Sequence, residues 1–155
     1  NKDIKKVDVE ISKVIKEDNQ LHTQVKIATS VTGVGTIIAA NMIITTNEFK
    51  DISDHKKFAC YAGIAPFENS SGTSLRGRSQ VSHMANKTMK TLLHLGARSA
   101  IQHSPELKQY YHRKLAEGKK SFSVLNAVCN KLISRVFVCI KNQRMYEKIY
   151  RQSLV

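Results

Sequence analysis

Hydroxyl, glycine and guanidinium groups crowd into residues 69–79 of this chain. Ser70, Ser71, Thr73, Ser74 and Ser79 surround Gly72 and Gly77, with Arg76 and Arg78 interleaved. Arg pairs with phosphate bidentately and Gly lets a backbone approach an anion closely, so the composition suits a phosphate-rich partner. Residues 69–105 contain no Asp or Glu, so nothing in the neighbouring sequence neutralises these cations. A serine hydroxyl can also act as a nucleophile, but near neutral pH it needs a base, a metal or strongly positive surroundings. Ser-Ser-Gly-Thr-Ser is also the composition of an ordinary flexible loop. Taken alone, the composition favours the ordinary loop.

The rest of the chain must carry that loop. Its 155 residues suit one domain, with room for an appended helix, and 41% apolar residues are enough for a core. Lys and Arg outnumber Asp and Glu by 25 to 12, giving a net charge of +13. An excess of this size favours a polyanionic partner, nucleic acid before an anionic membrane. Cys60, Cys129 and Cys139 are odd in number, widely spaced and set among apolar neighbours. They read as reduced, buried thiols of a cytoplasmic protein, and no paired Cys or His spacing suggests a zinc site. There is no apolar run of about 18 residues and no signal-peptide pattern, so no membrane association is expected. The chain opens on Asn1, Lys2 and Asp3 without Met, with helix-like sequence already under way, which suggests a piece of a longer protein.

Hydrophobic periodicity is helical throughout. Ile4, Val7, Ile11, Val14, Asp18, Leu21 and Val25 alternate spacings of three and four, a heptad seam with Asp18 as its one polar member. Residues 1–26 therefore read as one helix, the end of a coiled coil or a connecting helix packed on another segment. Val31, Gly33, Val34, Gly35 and Ala39 follow the pattern of a helix-hairpin-helix turn. Gly33 and Gly35 would permit a tight turn with backbone N–H groups facing a phosphate, although a plain glycine turn between packed helices fits equally. Ser53 or Asp54 can cap a helix through His55, Phe58, Ala59 and Tyr61, stopped at Gly63. A basic amphipathic helix begins near Asn86 with Lys87, Lys90 and Arg98. Ser104, Pro105 and Glu106 form a helix start, and Gly118 a stop. From Ser121 a long apolar helix runs through Val128, Leu132, Val136 and Ile140. Tyr110 and Tyr111 lie on an amphipathic helix, where packing is the simpler role than attack. The fold class is all-α, with residues 27–155 as the domain proper.

The order of these parts resembles the C-terminal domain of the bacterial insertion sequence 110 transposases, the group that includes the Piv-type DNA invertases. That family shows an Ile-Pro-Gly-Ile-Gly turn, then Phe-x-Ala-x-x-Gly-Leu-x-Pro, then a Ser-Gly-x-Ser-x-Arg-Gly loop. A Ser-Lys-x-Gly-Asn-like stretch then leads into a long helix. The turn here is Val31, Thr32, Gly33, Val34 and Gly35, and the next segment has Phe58, Ala62, Gly63, Ile64 and Pro66. The loop then has Ser71, Gly72, Ser74, Arg76 and Gly77, followed by Ser82, His83, Ala85 and Asn86. Thr32 stands where the family usually has Pro, His83 where Lys or Arg is common, and Ala85 where Gly precedes Asn.

The resemblance implies a DNA transposase or recombinase. It makes Ser71 the serine that attacks a DNA phosphodiester and leaves a phosphoserine intermediate, with Ser74 the next candidate. Arg76, Arg78, Ser82, Lys87 and Lys90 would contact nucleic acid together with Gly33 and Gly35. It also implies an upstream RuvC-like domain whose acids hold divalent metal, Mg being expected in the whole protein. A structured guide RNA and assembly into homo-oligomers on DNA are implied in the same way. No four-carboxylate metal site is legible in this chain. The early acids lie in the first helix and between Glu48 and Asp54, and after Glu68 only Glu106, Glu117 and Glu147 remain, far apart. The chain alone is expected to be inactive. The competing reading is a helix-hairpin-helix nucleic-acid-binding module without chemistry. A third is an oligomerisation domain built on the heptad helix.

Overall fold

The heptad seam does not run through a single helix. In the computed structural model, which describes residues 2–65, 70–71, 75–76 and 84–147, the chain breaks at Asp18. Helix α1 spans Lys2–Glu17 and α2 spans Asn19–Thr29. The Asp18 carboxylate accepts the N–H groups of Gln20 at 2.8 Å and Leu21 at 3.1 Å, capping α2. A short acceptor side chain at a seam position is a better N-cap than a core residue, and that decides the break. The apolar face of α1 is only partly covered. Ile11 and Ile15 are half-buried and Ile4 is exposed, while Val7 and Val14 stay exposed along a groove shared with Leu21, Val25, Ile43 and Ile44.

The remaining helices are α3 (Thr36–Thr46), α4 (His55–Tyr61), α5 (Lys87–His103), α6 (Pro105–Ala116) and α7 (Ser121–Lys141). Seven helices among the described residues make the fold all-α. Asp54, one of the two candidates with Ser53, caps α4, and Ser104 caps α6 as expected. Asn86, expected near a helix start, is the cap of α5, and each of the three accepts a first-turn N–H. Gly63 and Gly118 adopt positive φ just after α4 and α6, where a side chain would be strained. Two short antiparallel strands, β1 (Ser70–Ser71) and β2 (Leu75–Arg76), form a hairpin in a chain without strand periodicity.

Helix α7 is the packing centre, touching α2, α4, α5 and α6. By length and composition it is long and apolar enough to cross a membrane, although its sequence holds no unbroken apolar run of that length. Here it is a core helix, with Val128, Cys129, Leu132, Ile133 and Val136 almost fully buried by its neighbours. Phe137 holds α4 in place, its ring 5.4 Å from Phe58 and 5.1 Å from Phe49. Edge and tilted ring pairs of this kind add about 0.5–1.5 kcal/mol each beyond area burial.

The three cysteines are free, and they differ in access. Burial pushes the Cys129 thiol up to about 12 and raises that of Cys139, whereas Cys60 is half-exposed. Alkylation followed by mass spectrometry at pH 8 is expected to modify Cys60 first and the other two only on unfolding. Because the folded-state value of Cys129 lies above its ordinary 9.0, its contribution to stability is complete below pH 9 and is lost as the pH rises towards 12. Equal labelling of Cys60 and Cys129 in the native protein would contradict the packing of α7.

Candidate nucleic-acid interface and serine hairpin

The serine hairpin is an excursion between α4 and α5 whose two ends are tied together. The Asn86 backbone N–H donates to Tyr61 O at 2.9 Å, and the Asn86 side-chain amide donates to the Tyr61 hydroxyl at 2.9 Å. The same Asn86 caps α5 by accepting Met89 N–H at 2.9 Å. One residue thus ends the loop, starts the next helix and anchors both to α4. Sequence reasoning placed the helix start at Asn86 but not its tie to Tyr61, because a contact across 25 residues has no local pattern.

Within the hairpin, Ser70 faces Arg76 and Ser71 faces Leu75. Paired strands lie about 5 Å apart, so the backbones of Ser71 and Arg76 are neighbours. Of the other loop residues singled out, Ser74, Arg78 and Ser82 lie outside the described residues. Lys87 and Lys90 occupy the first turn of α5, Lys87 exposed and Lys90 half-buried. No acid accompanies them there, and neither forms an ion pair among the described residues. Lysines sit unfavourably beside the positive end of a helix dipole, and an anion relieves that repulsion.

The glycine turn is not part of this cluster. Gly33 has φ +94 and is pressed against α5, where an added Cβ would lie 2.4 Å from Gly96 O and 2.6 Å from Ala100 Cβ. Gly96 lies ten residues along the chain from Asn86, or about 15 Å of helix, so this crossing is well away from the hairpin's root. Gly33 is therefore a packing glycine. Gly35 differs: it precedes the first residue of α3, is exposed, and has open space around its Cβ position.

Among the described residues, no group of three or more His, Cys, Asp or Glu side chains could hold a metal ion. Glu106 is bound to Arg135 at 2.7 Å, Glu117 to Lys114, and Glu48 to Gln20 and Lys50. These acids serve helix packing and do not converge on the hairpin.

The family model described as Transposase IS116/IS110/IS902 family matches residues 25–112, more than half of the chain. The chain belongs to the IS116/IS110/IS902 transposase family. The matched span includes the glycine turn, the whole serine segment and α5, whereas α7 lies beyond it. An uncharacterized 43.6 kDa protein of insertion element IS110 from Streptomyces coelicolor is 30% identical over 128 residues, covering 83% of this chain and 31% of that protein. The pilin gene-inverting protein of Moraxella lacunata is 21% identical over 146 residues, covering 94% and 45%. An uncharacterized 44.8 kDa protein of insertion element IS116 from Streptomyces clavuligerus is 22% identical over 143 residues, covering 92% and 35%. This family member thus spans between about a third and under half of these curated relatives.

Proposed function

We propose that the chain is the serine-bearing part of a DNA-recombining transposase, with Ser71 as the nucleophile. One observation carries the reading: the family match encloses a serine–arginine hairpin rooted beside two lysines that form no ion pair among the described residues. In the proposed step the Ser71 Oγ–P bond forms while the P–O bond to one flanking sugar breaks. The serine proton passes to a base and the released sugar oxygen takes up a proton. Attack by a second sugar hydroxyl on the phosphoserine then rejoins the strand, so no bond energy is lost to water. Arg76 and Arg78 would clamp the phosphate and offset developing charge, with Ser82, Lys87 and Lys90 holding the flanking backbone.

The metal that family resemblance implies does not fit the described residues, whose acids are dispersed. It belongs in this proposal to an upstream RuvC-like domain, and the chain alone would not recombine DNA. Guide RNA and homo-oligomeric assembly are proposed on the same resemblance, and the exposed apolar stripe of α1 supports an assembly role. The competing helix-hairpin-helix module loses force, because packing against α5 occupies Gly33 and leaves only Gly35 open.

The direct test is to trap the intermediate. Full-length protein incubated with DNA and its guide RNA, denatured and digested, should yield a nucleotide adduct on Ser71 by mass spectrometry. An adduct on Ser74 would move the nucleophile to that residue. Cleaved DNA with no adduct on either serine would overturn the covalent reading.

A further inference from the structure

A cleft of about 510 Å³ opens between α4 and α7, and no sequence motif marks it. His55, Lys56, Ala59, Cys60 and Ala65 line it from α4 and the segment after it, and Asn130, Lys131 and Ser134 from α7. The Lys131 ammonium rests 4.6 Å from the centre of the Tyr110 ring, which holds the cation without neutralising it. Neither lysine is ion-paired among the described residues, and the side chains of Asn130 and Ser134 have no hydrogen-bond partner there. No carboxylate lines the cleft. Asp54 is engaged as the cap of α4, accepting Lys56 N–H at 3.0 Å and lying 3.5 Å from His55 Nδ1. Glu106 is taken by Arg135.

Two unneutralised ammonium groups, an amide and a hydroxyl in an acid-free concavity match the oxygens of a phosphodiester backbone. We propose that the α4–α7 cleft binds the DNA backbone, with Lys56, Asn130, Lys131 and Ser134 holding phosphates of the strand that reaches the serine hairpin. The proposal rests on the reading of the chain as a DNA-recombining domain and adds the path of the strand. Ala65 is the last described residue before the chain enters the serine segment, so a strand seated in the cleft runs past the hairpin's root. Contacts of this kind position the duplex and carry no base information.

The test is salt-dependent binding by full-length protein, read as fluorescence anisotropy with a labelled DNA duplex of arbitrary sequence and with an RNA hairpin. Lys56→Ala and Lys131→Met should each weaken DNA binding about three- to tenfold and make the slope of log affinity against log salt shallower by about one. The charge-matched Lys13→Ala, on exposed α1, should change neither, and circular dichroism would check that every variant is folded. DNA binding with an unchanged slope in both cleft variants would overturn the cleft while leaving the recombinase reading intact. Loss confined to the RNA arm would overturn the assignment to DNA. A wild-type protein that binds no DNA at low salt would overturn both.

Discussion

Replacing Ser71 by Ala in the full-length protein is expected to abolish strand cleavage while DNA binding persists. Removing a hydroxyl nucleophile elsewhere costs on the order of 10³–10⁶-fold in turnover, because the remaining groups still bind substrate but have nothing to form the covalent bond. The variant should keep its affinity and salt slope, since the charged phosphate contacts in the proposals come from Arg76, Arg78, Lys87, Lys90 and the cleft lysines and not from Ser71. A gel assay of nicked and joined products, run beside anisotropy, separates the two. Wild-type cleavage by the alanine variant would remove Ser71 from the mechanism and direct the same experiment to Ser74. Unchanged chemistry in both variants would favour a binding module, whose signature is weaker salt-sensitive affinity on changing the arginines.

Gly96→Ala is expected to destabilise the fold, against the usual sign of that substitution. In an open helix interior, Gly to Ala stabilises by roughly 0.5–1 kcal/mol. At Gly96 the new Cβ would lie 2.6 Å from Gly33 O and 2.8 Å from Ile38 Cδ1, and the first of these is backbone. Overpacking of this kind costs about 1–3 kcal/mol, and the helix gain offsets only part of it. For a domain of this size the net loss corresponds to a fall in Tm of several degrees, at about 2–4 °C per kcal/mol. Gly33→Ala should be worse, since it adds a positive φ of +94 to a 2.4 Å approach to backbone oxygen. Gly35→Ala is the control: nothing lies within 4 Å, and its loss should stay near the modest preference for Gly over Ala at an N-cap. Thermal unfolding of the three variants checks the order. A Gly96→Ala protein as stable as the parent would mean that the glycine turn and α5 do not meet at that crossing.

These two residues illustrate where sequence reasoning stops. The Gly33–Gly35 pattern fitted a phosphate-facing turn and a plain glycine turn between packed helices equally, and it did not distinguish the two glycines, whose environments differ. Only the crossing of α5 over the turn distinguishes a glycine needed for close approach from one left open. The heptad seam had the same fault: its spacing was correct, but Asp18 stood in it as a helix cap, and periodicity cannot tell a tolerated polar core position from a break. Tyr61 and Asn86 were each legible as helix residues, and their hydrogen bonds to one another were not.

By itself the sequence determined the all-α class, helix starts near Asp54, Asn86 and Ser104, the stops at Gly63 and Gly118, and α7 as the core. These follow from local hydrogen-bonding capacity, backbone freedom and a 3.6-residue apolar period, which are carried by neighbouring residues. It also marked the serine segment, through composition and the ordered family motifs. Tertiary structure alone decided that the segment's ends are pinned together, that Gly33 is occupied by packing, and that Lys56 and Lys131 share one acid-free cleft. Each of those depends on which helix faces which, and long-range packing sets that without leaving a periodic trace in the chain.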